Sequence, residues 1–142
     1  MNYKTLSLKI RKSILKIANS SQCSHIGSNL SIVDILSVIY GKFLKNKKNS
    51  FILSKGHACL AQYCFLKEMG IITDKTLNTF GKDGTILMSH ASHKVPGVNL
   101  STGSLGHGLP VATGIALANK INKKKSKMFV LLSDGELDEG SN

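Results

Sequence analysis

The chain has 142 residues, of which 42% are hydrophobic, so it is long enough to form one domain with a hydrophobic core. No signal peptide is visible and no apolar run reaches the length of a membrane span, so we expect a cytoplasmic protein without a membrane partner. The net charge of +11 comes from short lysine clusters without interleaved aromatic residues, which argues against a nucleic-acid partner.

The three cysteines show no metal-binding spacing. Cys59 and Cys64 are five residues apart in one predicted helix, and Cys23 lies in a polar stretch. An odd number of cysteines in such positions is typical of buried, reduced thiols. We therefore predict neither a disulfide nor a zinc site.

The first third of the chain predicts two helices joined by a loop. Residues 4–20 carry apolar residues at helical spacing with Lys and Arg between them, which indicates an amphipathic helix. The polar stretch 20–29 breaks this period and contains His25, so it is predicted to be a loop. Ser31 and Asp34 have the spacing of a capping box, which predicts a helix from Ile32 to Tyr40 that ends at Gly41.

A short buried strand is predicted at residues 51–53, where three apolar residues precede a turn of small residues. This turn, 54–58, contains His57 and leads into a helix over 60–69. Free backbone amides at such a helix start attract anions, so His57 is placed beside a candidate anion site. A second, short helix is predicted at 73–78.

Residues 80–108 lack regular periodicity and are rich in Gly, Ser and His, among them His90, His93 and His107. An irregular stretch of this length inside a compact domain is more often a binding loop than a simple connection. It is followed by a predicted helix over 109–122. The small residues of this helix favour close packing against a sheet or another subunit.

The run from Met128 to Leu132 predicts a buried parallel strand that stops at a carboxylate. In an open α/β sheet the carboxyl ends of the strands form the ligand-binding edge, where Asp134 can hold a divalent cation that in turn holds a phosphate. Gly135 allows close backbone approach. Asp-Gly is also a common turn signal, in which case Asp134 only closes the strand.

Four segments in this order resemble the amino-terminal, thiamine-diphosphate-binding section of transketolases, and especially the short subunit of split transketolases. They comprise the Ser-His-Ile-Gly loop with the helix after it, the Phe-Ile-Leu-Ser-Lys-Gly-His-Ala strand and turn, the Pro-Gly to Gly-His-Gly loop, and the Ser-Asp-Gly-Glu-Leu-Asp-Glu-Gly turn, at residues 23–36, 51–58, 96–108 and 133–140. The resemblance runs from Leu6 to Asn142. A deoxyxylulose-phosphate synthase is the alternative within the superfamily, and residues 96–108 favour transketolase.

The resemblance implies an α/β fold in three layers, with helices on both faces of a parallel sheet. Residues 1–142 would be the amino-terminal part of a thiamine-diphosphate-binding domain. The implied activity is transfer of a two-carbon ketol unit from a ketose phosphate to an aldose phosphate, as in the pentose phosphate pathway, with thiamine diphosphate and Mg2+ or Ca2+ as cofactors. The implied assembly is a dimer or a larger oligomer.

Site residues also follow from the resemblance. His57 would contact the diphosphate, and His25 and His90 would face the donor sugar near its carbonyl, where hydrogen bonds stabilise a developing oxyanion. Asp134 would bind the metal ion, and Glu139 would lie at a subunit interface. The remaining cofactor contacts would be Gly103, Ser104, Leu105 and Gly135.

The chain departs from the family pattern at several glycines and prolines. Ser24 and Ile26 replace Gly and Pro around His25, Ser89 and Ala91 do so around His90, and Ser133 replaces the Gly before Asp134. Each change puts an ordinary residue where the family has a conformationally special one, so we expect shifts in these loops.

The family's second metal ligand, an Asn, follows beyond the last residue, Asn142. We therefore expect a truncated chain that acts only with a partner, either a transketolase carboxyl-terminal section or a second subunit. The alternative is a non-catalytic fragment or a subunit-interaction module. A third reading, an anion- or nucleic-acid-binding protein, rests on the charge alone.

Overall fold

The computed structural model describes residues 2–142. Three helices precede the first strand, three more lie between the two strands, and short 3-10 turns occupy 43–45, 56–58 and 135–138. The helices and strands are α1 Tyr3–Ser21, α2 Ile26–Ser31, α3 Val33–Gly41, β1 Ser50–Leu53, α4 Cys59–Glu68, α5 Asp74–Leu77, α6 Gly108–Ile121 and β2 Met128–Leu131.

The two strands pair in parallel, with Ser50 opposite Met128 and Leu53 opposite Leu131. Parallel pairing needs a crossover, and here it contains α4, α5, the irregular stretch and α6. Both strands therefore end at the same edge of the sheet. The Ser54 N–H continues the pairing beyond β1 by donating to the Leu131 carbonyl at 2.9 Å. The turns after β1 and β2 are thus neighbours.

Helices cover both faces of this sheet, as predicted. Phe51, Leu53 and Leu131 belong to the main apolar core, which also contains residues of α1, α3 and α4. Because strand side chains alternate between faces, Ile52 points the other way. It is buried outside that core, on the face where α6 contacts both strands. The molecule is a three-layer α/β structure.

The main core lies between α4 and the first helices. Ile10 and Ile14 of α1 and Leu36 of α3 are fully buried. Between α3 and α4, the rings of Tyr40 and Phe65 stack with centroids 5.4 Å apart. These contacts fix α4, and through it the turn that precedes it, against the amino-terminal helices.

The predicted loop 20–29 is partly wrong, because its last residues begin the helix α2. The capping box is also absent. Ser31 ends α2 and donates its hydroxyl to the Ser28 carbonyl at 2.9 Å, so it does not cap α3. Asp34 pairs instead with Arg11, whose guanidinium lies 2.8 Å away and lowers the pKa of Asp34 to about 2 by hydrogen bonding.

The strand β2 is less buried than predicted. Its first three residues are half-buried and only Leu131 is buried. In residues 2–142 the sheet has two strands, so β1 covers one edge of β2 and no strand of the described chain covers the other. The apolar run identified the strand correctly, but burial depends on neighbours on both sides.

All three cysteines are free thiols. Cys59 and Cys64 are buried in α4, and burial raises the pKa of each thiol to about 12. Both are therefore protonated and unreactive near neutral pH. Within residues 2–142, every helix is too short or too polar to cross a lipid bilayer.

Candidate functional site

The candidate site lies where the two strands end. After β1 the chain makes a tight turn through Ser54 and Lys55 into the 3-10 turn Gly56–Ala58, which carries His57. A side chain at Gly56 would meet the Thr102 carbonyl oxygen, since an ideal Cβ there would be 2.1 Å from it. The long loop thus packs directly against this turn, and only glycine permits so close an approach.

Three histidines from distant parts of the sequence meet at this edge. The ring centroids of His25 and His57 are 5.2 Å apart, and those of His25 and His90 are 6.0 Å apart. They come from the segment before α2, the turn before α4 and the irregular loop. The structure thus brings together the three histidines that the sequence placed at the cofactor and the substrate.

The position of His25 depends on an unusual backbone conformation. Its φ is +63°, a left-handed conformation that few residues other than glycine adopt, and it directly precedes α2. The Ser24 hydroxyl lies 3.2 Å from Nδ1 of His25. Strained backbone at a ring that faces two other histidines is typical of a functional position.

Asn29 holds the first two histidine segments together. This buried side chain donates from Nδ2 to the His25 carbonyl at 2.8 Å and to the His57 carbonyl at 3.4 Å. Its Oδ1 accepts the Ala61 N–H at 2.8 Å, which satisfies a free amide at the start of α4. Nothing in the local sequence marked Asn29, because an Asn in a polar stretch is usually exposed.

His90 is fixed through backbone contacts on either side. Tyr63 donates its hydroxyl to the His90 carbonyl at 3.1 Å. Ala91 then donates its N–H to the Gly56 carbonyl at 3.1 Å and accepts the Thr102 N–H at 3.0 Å. These bonds join the loop to the His57 turn.

Gly103 leaves room beside the His90 ring. A Cβ at Gly103 would lie 3.4 Å from the nearest ring carbon, so a side chain there would press on His90. Ser104 is exposed and Leu105 is half-buried. They continue the loop towards Gly106 and the start of α6.

Lys55 is a site residue that the sequence did not reveal. The residue is only 7% exposed, and its ammonium donates to the Ser31 hydroxyl at 3.4 Å. Burial lowers the pKa of Lys55, and the negative charges of Asp134 and Glu136 oppose that shift. The lysine stands inside the Ser-Lys-Gly-His motif, but a lysine in a lysine-rich chain gives no signal by itself.

The electrostatics of the site favour an anion. Burial lowers the pKa of His57, and the nearby charges of His25, Lys55 and His90 lower it further, while Glu136 opposes them. A histidine with a lowered pKa is neutral at pH 7 and donates through one ring nitrogen. Positive groups that destabilise one another are stabilised when a negative ligand binds among them.

The turn after β2 is more open. Asp134 is exposed at the start of the 3-10 turn Gly135–Asp138, and an ideal Cβ at Gly135 would have no atom within 4 Å. Glu139 is exposed as well. Across the described part of the chain, no three His, Cys, Asp or Glu side chains group closely enough to hold a metal ion. Asp134 therefore stands as a single carboxylate.

A different acidic residue of this turn, Glu136, is fully buried. Its carboxylate accepts hydrogen bonds from the Ser54 hydroxyl at 2.5 Å and the Ser133 N–H at 2.9 Å. The burial of Glu136 could not be predicted from the sequence, because the turn contains four acidic residues and only the packing shows which of them is enclosed.

Three serines stand where the family pattern has glycine. Ser24, Ser89 and Ser133 all have negative φ, which any residue adopts. Ala91 supplies an N–H that proline lacks and uses it to bond Gly56, and the Ser133 hydroxyl adds a 3.5 Å contact to Glu136. Ala91 and Ser133 thus both take part in hydrogen bonds at the candidate site.

The remaining two histidines lie outside the cluster. Nδ1 of His93 is 2.7 Å from the Ser101 hydroxyl, a contact within the irregular loop. His107 is exposed and directly precedes α6. Neither ring contacts the rings of His25, His57 or His90.

Comparisons with known proteins give a consistent result. An apulose-4-phosphate transketolase subunit from Actinobacillus succinogenes is 44% identical over 141 aligned positions, covering 93% of this chain and 51% of that protein. A 6-deoxy-6-sulfo-D-fructose transketolase subunit from Clostridium sp. is 33% identical, with 92% and 51% covered. Human transketolase is 32% identical, with 94% and 23% covered.

The fold comparison agrees. The crystal structure of transketolase from Campylobacter jejuni superposes on 99% of this chain and 25% of its own length, with a TM-score of 0.90 and 27% identity. The chain spans about half the length of the subunit-type relatives it matches. The family model described as the transketolase thiamine diphosphate binding domain matches residues 4–142. The chain therefore belongs to the transketolase family and corresponds to its amino-terminal, thiamine-diphosphate-binding domain.

Proposed function

We propose that this chain forms the diphosphate-binding part of an enzyme that transfers a two-carbon ketol unit from a ketose phosphate to an aldose phosphate. The observation that carries the proposal is the cluster of His25, His57 and His90 beside the buried Lys55, at the same sheet edge as Asp134. An ammonium and three imidazoles at the ends of parallel strands suit a doubly charged phosphate ligand.

The residues present fit thiamine diphosphate. Lys55 and His57 supply donors for the diphosphate, and Asp134 supplies an oxygen ligand for the Mg2+ or Ca2+ that accompanies it. Gly103 leaves space next to His90, and by the resemblance Gly103 and Leu105 would lie against the aminopyrimidine of the cofactor. Ser104 and Gly135 would be further cofactor contacts. When bound, thiamine diphosphate supplies the electron sink that the reaction needs.

His25 and His90 have a separate role in this proposal. Both are exposed, and both rings lie on the open side of the cluster, where a sugar can reach them. Donation from an imidazole to the substrate oxygen stabilises the negative charge that develops there during the reaction. His57, which is more buried and neutral at pH 7, holds the cofactor instead.

A partner is part of the proposal. Two relatives are named as subunits, and the chain spans about half of each. The lone Asp134 carboxylate needs further oxygen ligands to hold a divalent ion, and the apolar side chains exposed on α6 give another chain or section a surface to pack on. Glu139, exposed on the turn after β2, would lie at that interface.

The alternative is a non-catalytic member of the same lineage, acting as a subunit-interaction module. The half-buried strand β2 and the single exposed carboxylate favour it. The two proposals differ in one observable, which is ketol transfer once a partner chain is present.

The first experiment is calorimetric titration of the 142-residue chain with thiamine diphosphate and Mg2+. We expect no binding at micromolar cofactor and no ketol transfer, because one carboxylate and a solvent-exposed site hold the ion weakly. Adding a chain that carries the remaining part of a transketolase should give both binding and transfer. Tight metal-dependent binding by the chain alone would instead indicate a self-contained anion-binding protein. Cofactor binding without transfer in the complemented complex would support the interaction module.

The second experiment separates the histidines in the complemented complex. His57→Ala should raise the dissociation constant of thiamine diphosphate, whereas His25→Ala and His90→Ala should chiefly lower kcat. His93→Ala is the matched control, because its ring lies outside the cluster and bonds Ser101. Equal losses of cofactor affinity in the first three variants would contradict this division of roles.

A further inference from the structure

A buried carboxylate links three of the segments around the candidate site: the end of β1, the loop before α6 and the end of β2. Glu136 has no exposed surface, although it lies in a turn whose other acidic residues are exposed. A carboxylate shielded from water is stable only where hydrogen-bond donors surround it. The donors around Glu136 therefore identify the segments that this side chain joins.

The donors come from three separate segments. The Ser54 hydroxyl, at the end of β1, donates to Oε1 at 2.5 Å, and the Gly106 N–H, in the loop before α6, donates to the same oxygen at 3.1 Å. The Ser133 N–H, at the end of β2, donates to Oε2 at 2.9 Å. Three donors from separate parts of the chain thus converge on one side chain, which joins these segments.

Ser54 extends the junction to α6. Its hydroxyl oxygen accepts the Gly108 N–H at 3.1 Å while the hydroxyl proton is donated to Glu136. An ideal Cβ at Gly108 would be 2.4 Å from that oxygen. Gly106 has φ of +79°, and an ideal Cβ there would be 2.5 Å from Cβ of Glu139. The chain thus carries glycine where the backbone approaches Ser54 and where it approaches Glu139, three residues after Glu136.

Two of these contacts lie next to proposed ligand-binding residues. Ser54 precedes Lys55 and is three residues from His57, and Ser133 precedes Asp134. A single carboxylate therefore joins the segment that would bind the diphosphate to the segment that would bind the metal ion. The strands end at Leu53 and Leu131, so strand pairing does not join the two segments that follow them.

We propose that Glu136 is a positioning residue, which sets the distance between Asp134 and the Lys55–His57 turn without touching the ligand. This inference rests on the proposed function only for the identity of the ligand. The geometric part concerns the chain itself. Loss of the carboxylate should separate the two turns and weaken binding of any ligand that must contact both.

The first arm of the test uses the isolated chain and NMR. Glu136→Gln keeps the size of the side chain but turns an amide donor towards the Ser133 or Gly106 N–H. We expect the amide resonances of Gly106 and Ser133 to shift and their hydrogen exchange to accelerate by about tenfold or more. Asp138→Asn, which removes a charge from the same turn at an exposed side chain, should leave both amides unchanged.

The second arm uses the complemented complex, well below its melting temperature. Glu136→Gln should raise the dissociation constant of thiamine diphosphate with Mg2+ about tenfold or more, with KM for the donor sugar unchanged. Asp138→Asn should bind as the wild type does. A role in stability alone would lower the melting temperature and leave the dissociation constant unchanged.

The outcomes separate this inference from the proposed function. Native amide exchange and native cofactor affinity in Glu136→Gln would overturn the positioning role. If Glu136→Gln does not fold, Ser54→Ala tests the positioning role instead. It removes one donor to Glu136, so the amide resonances of Gly106 and Ser133 should shift by a smaller amount. If the wild-type complex binds no thiamine diphosphate, the proposed function fails. The amide measurements then decide the role of Glu136 without it.

Discussion

The helices α4 and α6 are both apolar, but the fold treats them in opposite ways. Eight of the ten residues of α4 are buried, whereas only Gly108 and Ala112 are buried among the fourteen of α6. Leu117 and Ile121 at the outer side of α6 are 56% and 70% exposed. Composition alone does not separate the two helices.

The difference lies in their neighbours. The helix α4 contacts α1, α2, α3 and α5, so every side of it meets another element. The helix α6 packs mainly on the two strands. The α4 side is therefore packed on all sides within this chain, and it supports the segments that carry the histidines. The α6 side presents apolar surface, as expected of a region where the proposed partner packs.

The sharpest test of this contrast is the same substitution in both helices. Leu66→Ala in α4 removes a fully buried side chain and should lower the free energy of unfolding by roughly 2–5 kcal/mol. Leu117→Ala in α6 should change it by less than about 0.5 kcal/mol, because more than half of this residue is already exposed. Urea denaturation measures both. Similar losses for the two variants would show that α6 is buried in solution.

A smaller effect is expected where α4 meets the histidine segments. Asn29→Ala removes three hydrogen bonds and leaves the Ala61 N–H without its acceptor, which should cost roughly 1–3 kcal/mol. The control is Asn19→Ala, an exposed position on α1. Denaturation gives the stability. Loss of the NMR contacts between the His25 and His57 rings, in Asn29→Ala only, would show that the site has opened.

The start of α6 is the one part of that helix that the fold packs tightly. Gly108→Ala places a Cβ within 2.8 Å of three atoms of Ser54 and should lower stability by about 1–3 kcal/mol. Gly114→Ala is the matched control, with nothing within 4 Å, and should raise stability by about 0.5–1 kcal/mol because alanine favours the helix. The prediction is wrong if both variants change the melting temperature in the same direction.

The smallest expected effect is a dependence on pH from the turn before α4. Burial and nearby positive charges lower the pKa of His57 below its ordinary value of 6.5. The unfolded chain then binds the proton more readily than the folded chain. The contribution of neutral His57 to the free energy of unfolding is therefore complete above pH 6.5 and is lost as the pH falls through the pKa of the folded state. Urea midpoints between about pH 7.5 and 5 should fall less steeply in His57→Asn. His93→Asn should keep the wild-type slope.

Local patterns predicted most of the elements. Helical periodicity identified α1, the segments predicted as helices at 60–69 and 109–122 correspond to α4 and α6, and apolar runs bounded by turns identified both strands. The helices between the strands also indicated that they pair in parallel. The resemblance of the motifs around His25, His57 and His90 to transketolases predicted that these histidines share one site, and their rings lie close together in the structure.

The helix α2 shows where such patterns fail. A polar stretch predicted a loop, but its last residues begin a helix in which Asn29 bonds Ala61, 32 residues away. The helix thus depends on a distant partner that local propensity does not reveal. The capping role predicted for Ser31 failed for the same reason, since α2 already includes that residue.

The sequence alone determined the order of most elements, since periodicity, apolar runs and turn residues lie close together in the chain. The helices between the two strands indicated parallel pairing, and the resemblance to transketolases identified the three histidines. The tertiary structure decided which polar groups became buried. Glu136, rather than the other acids of its turn, is enclosed because Ser54, 82 residues away, and Gly106 meet it there. Lys55 is buried and α6 exposed for the same physical reason, because burial is set by neighbours in space, and those come from distant parts of the chain.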